Sequence, residues 1–244
     1  MSKRQPADPD PPAVLRHLQQ AAAAELWRLG AVRVSLGEPF RLASGQVSPL
    51  YVNGRQAIGD PGFVRLFTAA AGALLNAHQV DFEVLVGGET AGIPYAAFLA
   101  VGLARPLAYV RKRAKGHGIA GRTEGAALNG RRVLLVEDLI TDGGSKLAFL
   151  EAIAEVGGTV RDALVLIDRE QGGGAQLAAR GVTLHAVTNL TAILDVGLAL
   201  GGLQPGARAT IDRYLRDPEG WQEEPSPLPA ASIPLQPRAR GAES

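Results

Sequence analysis

The chain has 244 residues, 46% of them hydrophobic, a formal net charge of +1 and no cysteine. That length suits one α/β domain with extensions, or at most two small domains. The charge balance argues against an overall bias toward nucleic acid or anionic membrane, and the lack of cysteine excludes a disulfide framework, thiolate metal sites and a cysteine nucleophile.

Residues 1–12, MSKRQPADPDPP, are polar and proline-rich, lack the apolar core of a signal peptide and read as disordered. No stretch has the uninterrupted apolar length of a membrane span, and a cytoplasmic protein is expected. AVLRHLQQAAAAELWRLG reads as a helix closed by Gly30. GDPGFVRLFTAAAGALLNAH is the next helix, with Asp60 as N-cap and Pro61 at its first position. FEVLVGG is a strand that stops at glycines, TAGIPYAAFLAVGL a helix, PLAYV and RRVLLVED strands, and SKLAFLEAIAEVGG a helix. VRDALVLID and VTLHAVT are further strands, and NLTAILDVGLALGGL and PGARATIDRYL close the ordered part as helices. Residues 222–244 are dense in proline, alanine and serine without a period and read as a solvated, disordered tail. His17, His78 and His185 fall in helical or strand-like segments and read as structural or surface residues.

Strands separated by helices imply βαβ units and a parallel sheet, whose ligands sit beyond the C-terminal ends of the strands. Four loops lie there. The first, 87-GGETAG-92, lets a backbone approach a ligand before a helix N-terminus, but it is not G-x-G-x-x-G, because Glu89 takes the place of the second glycine. The second, 111-RKRAKGHG-118, holds Arg111, Lys112, Arg113, Lys115 and His117. In isolation such a run is a solvated loop; after a strand end it can close over a polyphosphate.

The third loop belongs to VLLVEDLITDGGSK, residues 133–146. Four apolar residues run into Glu137 and Asp138, then Leu139 and Ile140, then a turn of Thr141, Asp142, Gly143, Gly144 and Ser145 entering a helix. Adjacent carboxylates at the end of a buried strand need a cation or hydrogen-bonding partner. Backbone N–H groups with Thr and Ser hydroxyls make a phosphate cradle. It is not a Walker A loop, and a magnesium-binding acid pair of the nucleotide-hydrolase kind would need one. A cradle beside two acids fits a sugar phosphate, with the carboxylates accepting from the ribose hydroxyls. The fourth loop is DREQGGG, after the next strand.

VLLVEDLITDGGS resembles the phosphoribosyl pyrophosphate (PRPP) motif of type I phosphoribosyltransferases. YVRKRAKGHG resembles the catalytic loop of one branch, orotate phosphoribosyltransferase, FRLASGQVSPLYVNGR is similar to its N-terminal segment, and LIDREQGG to its Asp–Arg segment. The four motifs come in the expected order over residues 40–174. Departures are Ala43 where some members carry a lysine, Thr90 and Ala91 where some have Tyr–Lys, and Glu137 where aspartate is also common.

The resemblance implies an open parallel sheet flanked by helices with a small N-terminal hood, one domain over residues 13–221. It implies transfer of phosphoribose from PRPP to orotate. Glu137 and Asp138 would orient the ribose, Asp138 also stabilising charge at C1. Thr141 to Ser145 would hold the 5′-phosphate, and Leu139 and Ile140 would also meet PRPP. Arg111, Lys112, Lys115 and His117 would neutralise the leaving pyrophosphate, with Lys115 catalytic. Arg169, Thr141, Ser44 and Gly45 would take orotate, an arginine fork suiting its carboxylate. Magnesium would be held mainly through PRPP, and the chain would be a homodimer with shared active sites. Rival readings are a purine or uracil salvage enzyme, against which FRLASG and Arg169 argue, and a PRPP-sensing nucleic-acid-binding regulator, against which the single basic cluster argues.

Overall fold

The computed structural model describes residues 11–41, 45–112, 121–218, 220 and 221. Helix α1 (Pro11–Arg28) begins two residues before the expected helix and inside the segment expected to be disordered, because proline in a first turn sacrifices no helical hydrogen bond. Residues 1–10 and 222–244 lie outside the described residues. The short strands β1 (Val32–Val34), β2 (Phe40–Arg41), β3 (Val47–Ser48) and β4 (Leu50–Val52) form the hood. β1 pairs with β4 and β2 with β3, both antiparallel.

A 3-10 turn over Gly54–Gly59 leads to α2 (Pro61–Ala77). Asp60 caps α2 as expected: its Oδ1 accepts from the Phe63 N–H at 2.7 Å, while Arg28 donates to Oδ2 at 3.1 Å. Then come β5 (Val84–Gly88), α3 (Gly92–Leu103), β6 (Leu107–Val110), β7 (Thr123–Gly125) and β8 (Arg132–Ile140). The chain continues through α4 (Gly144–Glu155), β9 (Thr159–Asp168), α5 (Gly173–Ala178), β10 (Thr183–Asn189), α6 (Leu190–Ala199) and α7 (Pro205–Arg216).

The central sheet has six strands in the order β10-β9-β8-β5-β6-β7. It is parallel except for the edge strand β7, which runs antiparallel to β6. Burial on both faces explains the unbroken apolar runs of β8 and β9. Leu134, Val136, Leu164 and Leu166 face a core shared with α1, α2, α3, α6 and α7. Val133, Leu135, Ala163 and Val165 face the other way, onto α4 and α5. Among the described residues, no helix is long and apolar enough to cross a membrane.

Trp27 joins α1 to α6. Its ring is 3% exposed and its Nε1 donates to the Ile193 carbonyl at 2.7 Å. Gly197 lies directly against it: a Cβ there would come within 2.5 Å of the ring. Gly197→Ala is expected to lower stability by about 1–3 kcal/mol, because the overpacked ring outweighs alanine's helix preference. A urea midpoint equal to that of the unaltered chain would show that the ring has room to move.

Candidate active site

A cleft of about 420 Å³ opens beyond the C-terminal ends of β5 and β8, where a parallel sheet holds its ligands. Tyr51, Asn53 and Arg55 line it from the hood side, Glu89, Thr90 and Ala91 from the loop after β5, and Lys112 from the base of the basic loop. Glu137, Asp138 and Leu139 form its floor, with Ser145 and Lys146 from α4. The Glu89–Thr90 peptide bond is cis.

The two acids are not at the end of the strand. β8 continues through Leu139 and Ile140, which align with Ile167 and Asp168 of β9. Successive side chains in a strand point to opposite faces, so Glu137 and Asp138 diverge. Asp138 lies on the hood side, where its Oδ2 is 3.8 Å from Arg55 Nε. Gly54 packs on the Asp138 Cβ, and Tyr95 of α3 donates to the Gly54 carbonyl at 2.6 Å. Burial first, and then the Asp138 charge, push the Tyr95 hydroxyl pKa above its ordinary value.

Glu137 points to the α4 side. Its Oε2 meets Lys146 Nζ at 2.7 Å, with 7% of the Glu137 side chain and 9% of that of Lys146 exposed. Its Oε1 has no hydrogen-bond partner among the described residues. Gly88 and Gly92 make room for the carboxylate: a Cβ on either would stand 2.1 or 2.4 Å from Oε1. Burial pushes Glu137 up to about 7, against the downward pull of Lys146.

The turn Thr141–Ser145 enters a helix, α4, as the sequence suggests. Gly143, at φ +87°, is the N-cap of α4, and Asp142 Oδ1 accepts from the Gly144 N–H at 3.1 Å. Thr141 is half-buried, and its carbonyl accepts from the Gly173 N–H at 2.8 Å. Leu139 is half-buried beside the cleft, whereas the Ile140 side chain is fully buried in the core on the α4 side. Only the backbone of Ile140 is left for other contacts, and its carbonyl accepts from the Arg169 N–H at 3.0 Å.

The base of the basic loop is pinned. Arg111 pairs with Glu124 at 2.7 Å and does not line the cleft, while the Lys112 N–H donates to Glu89 Oε2 at 2.8 Å. Lys115 and His117 lie outside the described residues, as does Ser44; Gly45 is exposed, at φ +86°. Arg169 lines a neighbouring cavity of about 300 Å³ with Thr191, Arg208 and Asp212. Among the described residues its Nε has no partner, nor has Oε1 of Gln171 beside it, and burial lowers the pKa of the Arg169 guanidinium. Side chains that the sequence reading left unassigned include Arg41, Arg55, Lys146, Tyr95 and Glu89. Of these, Lys146 directly follows the Thr141–Ser145 turn and Arg55 ends the segment YVNGR.

A model of the phosphoribosyl transferase domain matches residues 56–198. The orotate phosphoribosyltransferase of Ruegeria sp. is 40% identical over 210 residues, which is 84% of this chain and 93% of that protein. The crystal structure of orotate phosphoribosyltransferase from Aeropyrum pernix superposes with a TM-score of 0.64 at 36% identity, over 75% of this chain and 99% of that one. The enzyme of Mycobacterium tuberculosis, solved in complex with PRPP, superposes with a TM-score of 0.58 at 28% identity, over 72% of this chain and 98% of that one.

Glu137 gives a pH signature. A carboxyl raised from 4.5 to about 7 keeps its proton in the folded chain after the unfolded chain has lost it. Stability from this group therefore falls as pH rises from about 4.5 and levels off above about 7. The groups acting on it are Lys146, Asp138 and Lys112. Glu137→Gln should match the unaltered chain near pH 4.5 and exceed it in urea midpoint at pH 8. A variant that loses stability steadily as pH rises would mean that the ion pair outweighs the burial of its charges.

Proposed function

The chain belongs to the orotate phosphoribosyltransferase branch of the phosphoribosyl transferase family, and we propose that it transfers phosphoribose from PRPP to orotate. The products are orotidine 5′-monophosphate and pyrophosphate, a step in making UMP. The observation that carries the reading is the end of β8: Asp138, Ser145 at the end of the turn, and the cations Arg41, Arg55, Lys112 and Lys146 line one cleft. A sugar bearing phosphates at both ends matches that set. A cytoplasmic setting goes with this reading.

As the bond from ribose C1 to pyrophosphate breaks, the oxygen leaves with the electron pair and positive charge develops on the sugar, while a ring nitrogen of orotate bonds to C1. Asp138 accepts from the ribose hydroxyls and stabilises that charge. Glu137 supports the same end of the ribose through the strand. The turn Thr141, Asp142, Gly143, Gly144 and Ser145, with the backbone of Leu139 and Ile140, holds the 5′-phosphate. Lys112, Lys115 and His117 neutralise the leaving pyrophosphate and exclude water, while Arg111, paired with Glu124, holds the loop base. Arg169 meets the orotate carboxylate; its unpartnered Nε supports that role. Ser44, Gly45 and Thr141 cover the base.

The carboxylates of the cleft are hard oxygen donors of the kind magnesium takes. Bound through PRPP within reach of Asp138, the ion would supply charge neutralisation at the pyrophosphate. Residues 13–221 act as one domain, and two copies share their sites as a homodimer.

The test is orotate-dependent loss of PRPP in the presence of magnesium, measured on the purified chain; PRPP loss that ignores orotate sinks the reading. Asp138→Asn should lower turnover by about a hundredfold. Its urea midpoint should hold, because the facing Arg55 is 67% exposed and is not left as a buried, unpaired charge. An unfolded variant would make Asp138 structural. Mixing Lys115→Ala chains with Asp138→Asn chains should restore part of the activity, and no recovery after proven exchange would count against shared sites.

A further inference from the structure

We propose that Lys146 is a substrate-binding residue: a buried ammonium on the α4 side of the cleft that meets the pyrophosphate end of PRPP, with Glu137 as its positioning residue. The inference rests on the phosphoribosyl-transfer reading and adds to it a residue that the basic loop and the phosphate turn do not include.

Lys146 is the only buried lysine among the described residues. It sits in the first turn of α4, where the helix dipole disfavours a cation, and its burial carries a further desolvation penalty. Pairing with Glu137 does not by itself explain it. Two apolar or neutral side chains of similar volume would fill the same space with less desolvation, and the pair leaves Glu137 Oε1 without a partner among the described residues. The surroundings are nevertheless shaped for it, since Gly88 and Gly92 are cut back to the backbone where the Glu137 carboxylate lies.

Direction assigns the ligand group. Lys146 Nζ lies 2.7 Å from Glu137 Oε2 and 3.3 Å from Ser145 Oγ. The side chain thus lies between Ser145, at the start of α4, and the Glu137 carboxylate, which packs against Gly88 and Gly92 around the loop after β5. An ammonium has three N–H donors, and the third has no acceptor among the described residues. The opposite wall, Glu89, Thr90 and Ala91, contributes no cation, Arg111 is paired with Glu124, and Arg55 stands over Asp138 on the other face of the strand. Among the described residues, the cations left to a polyphosphate entering on this side are Lys112 and Lys146, with the exposed Arg41 on the hood wall. Glu137 holds the ammonium in place without closing off its third hydrogen.

Two probes separate the two ends of the substrate: inorganic pyrophosphate with magnesium, and ribose 5-phosphate, each titrated calorimetrically into the full chain. Lys146→Gln should weaken pyrophosphate binding by about tenfold or more and leave ribose 5-phosphate within about twofold, with Lys146→Arg recovering most of the loss. The paired variant Glu137→Gln with Lys146→Met removes both buried charges together and guards against misfolding. It should keep a thermal midpoint near that of the unaltered chain and still lose pyrophosphate. Unchanged pyrophosphate affinity, or an equal loss for both probes, overturns the proposal. If the unaltered chain binds neither probe, the phosphoribosyl reading itself fails; if it binds both and the variants match it, only this inference does.

Discussion

A single carboxylate, buried near the end of β8, sets the geometry around the cleft. Glu137 cannot be hydrated where it lies, so it needs a cation, and Lys146 supplies one from the first turn of α4. That contact fixes where α4 begins. The carboxylate also fills the space a side chain would occupy at Gly88 and Gly92, so the connection from β5 into α3 has to be glycine at those two points. With α3 anchored there, Tyr95 reaches the Gly54 carbonyl and ties the hood's 3-10 turn over Asp138. One buried charge thereby links α4, the loop after β5, α3 and the hood.

The two-residue period of a strand separates two functions that the sequence places side by side. Leu134 and Val136 face the core on the α1 side, and Asp138 continues that row into the cleft under the hood. Val133 and Leu135 face α4, and Glu137 continues that row to Lys146. Each acid therefore meets a different cation. The repulsion that two neighbouring carboxylates would otherwise suffer is reduced because they open away from each other. A strand delivering one acid per face organises both sides of a bound ligand without a second strand.

The sheet was legible because its parallel strands, buried on both faces, leave unbroken apolar runs such as VLLV and ALVLI. The caps were legible because Asp60 and Pro61 are local signals. The hood strands β1–β4 were not, since two or three residues are too few for alternation to register. The edge strand β7 and the six-residue α5 escaped for the same reason. In the site, the turn and Lys112 came from motif order, while the divergence of Glu137 from Asp138 was available from the period alone. Arg55 and Lys146 were harder to assign because their partners are fixed by tertiary packing. The position of Arg169, in a cavity beside α7 with Arg208 and Asp212, depends on a helix some forty residues further along the chain.

The base of the basic loop is held by a comparable set of contacts. Its two described ends are tied to each other and to the sheet: the Arg111 N–H donates to the Arg122 carbonyl at 2.7 Å, and Arg122 Nε donates to the Arg111 carbonyl at 3.1 Å. Arg111 is neutralised by Glu124 and lies by the Tyr109 hydroxyl. Glu89 accepts from the Lys112 N–H and so joins the loop base to the turn after β5. A change at either element must therefore be felt at the other through one hydrogen bond. Lys112 thus stands where the two elements meet and lines the same cleft as Lys146, so two ammonium groups on different elements are available there to several adjacent negative charges.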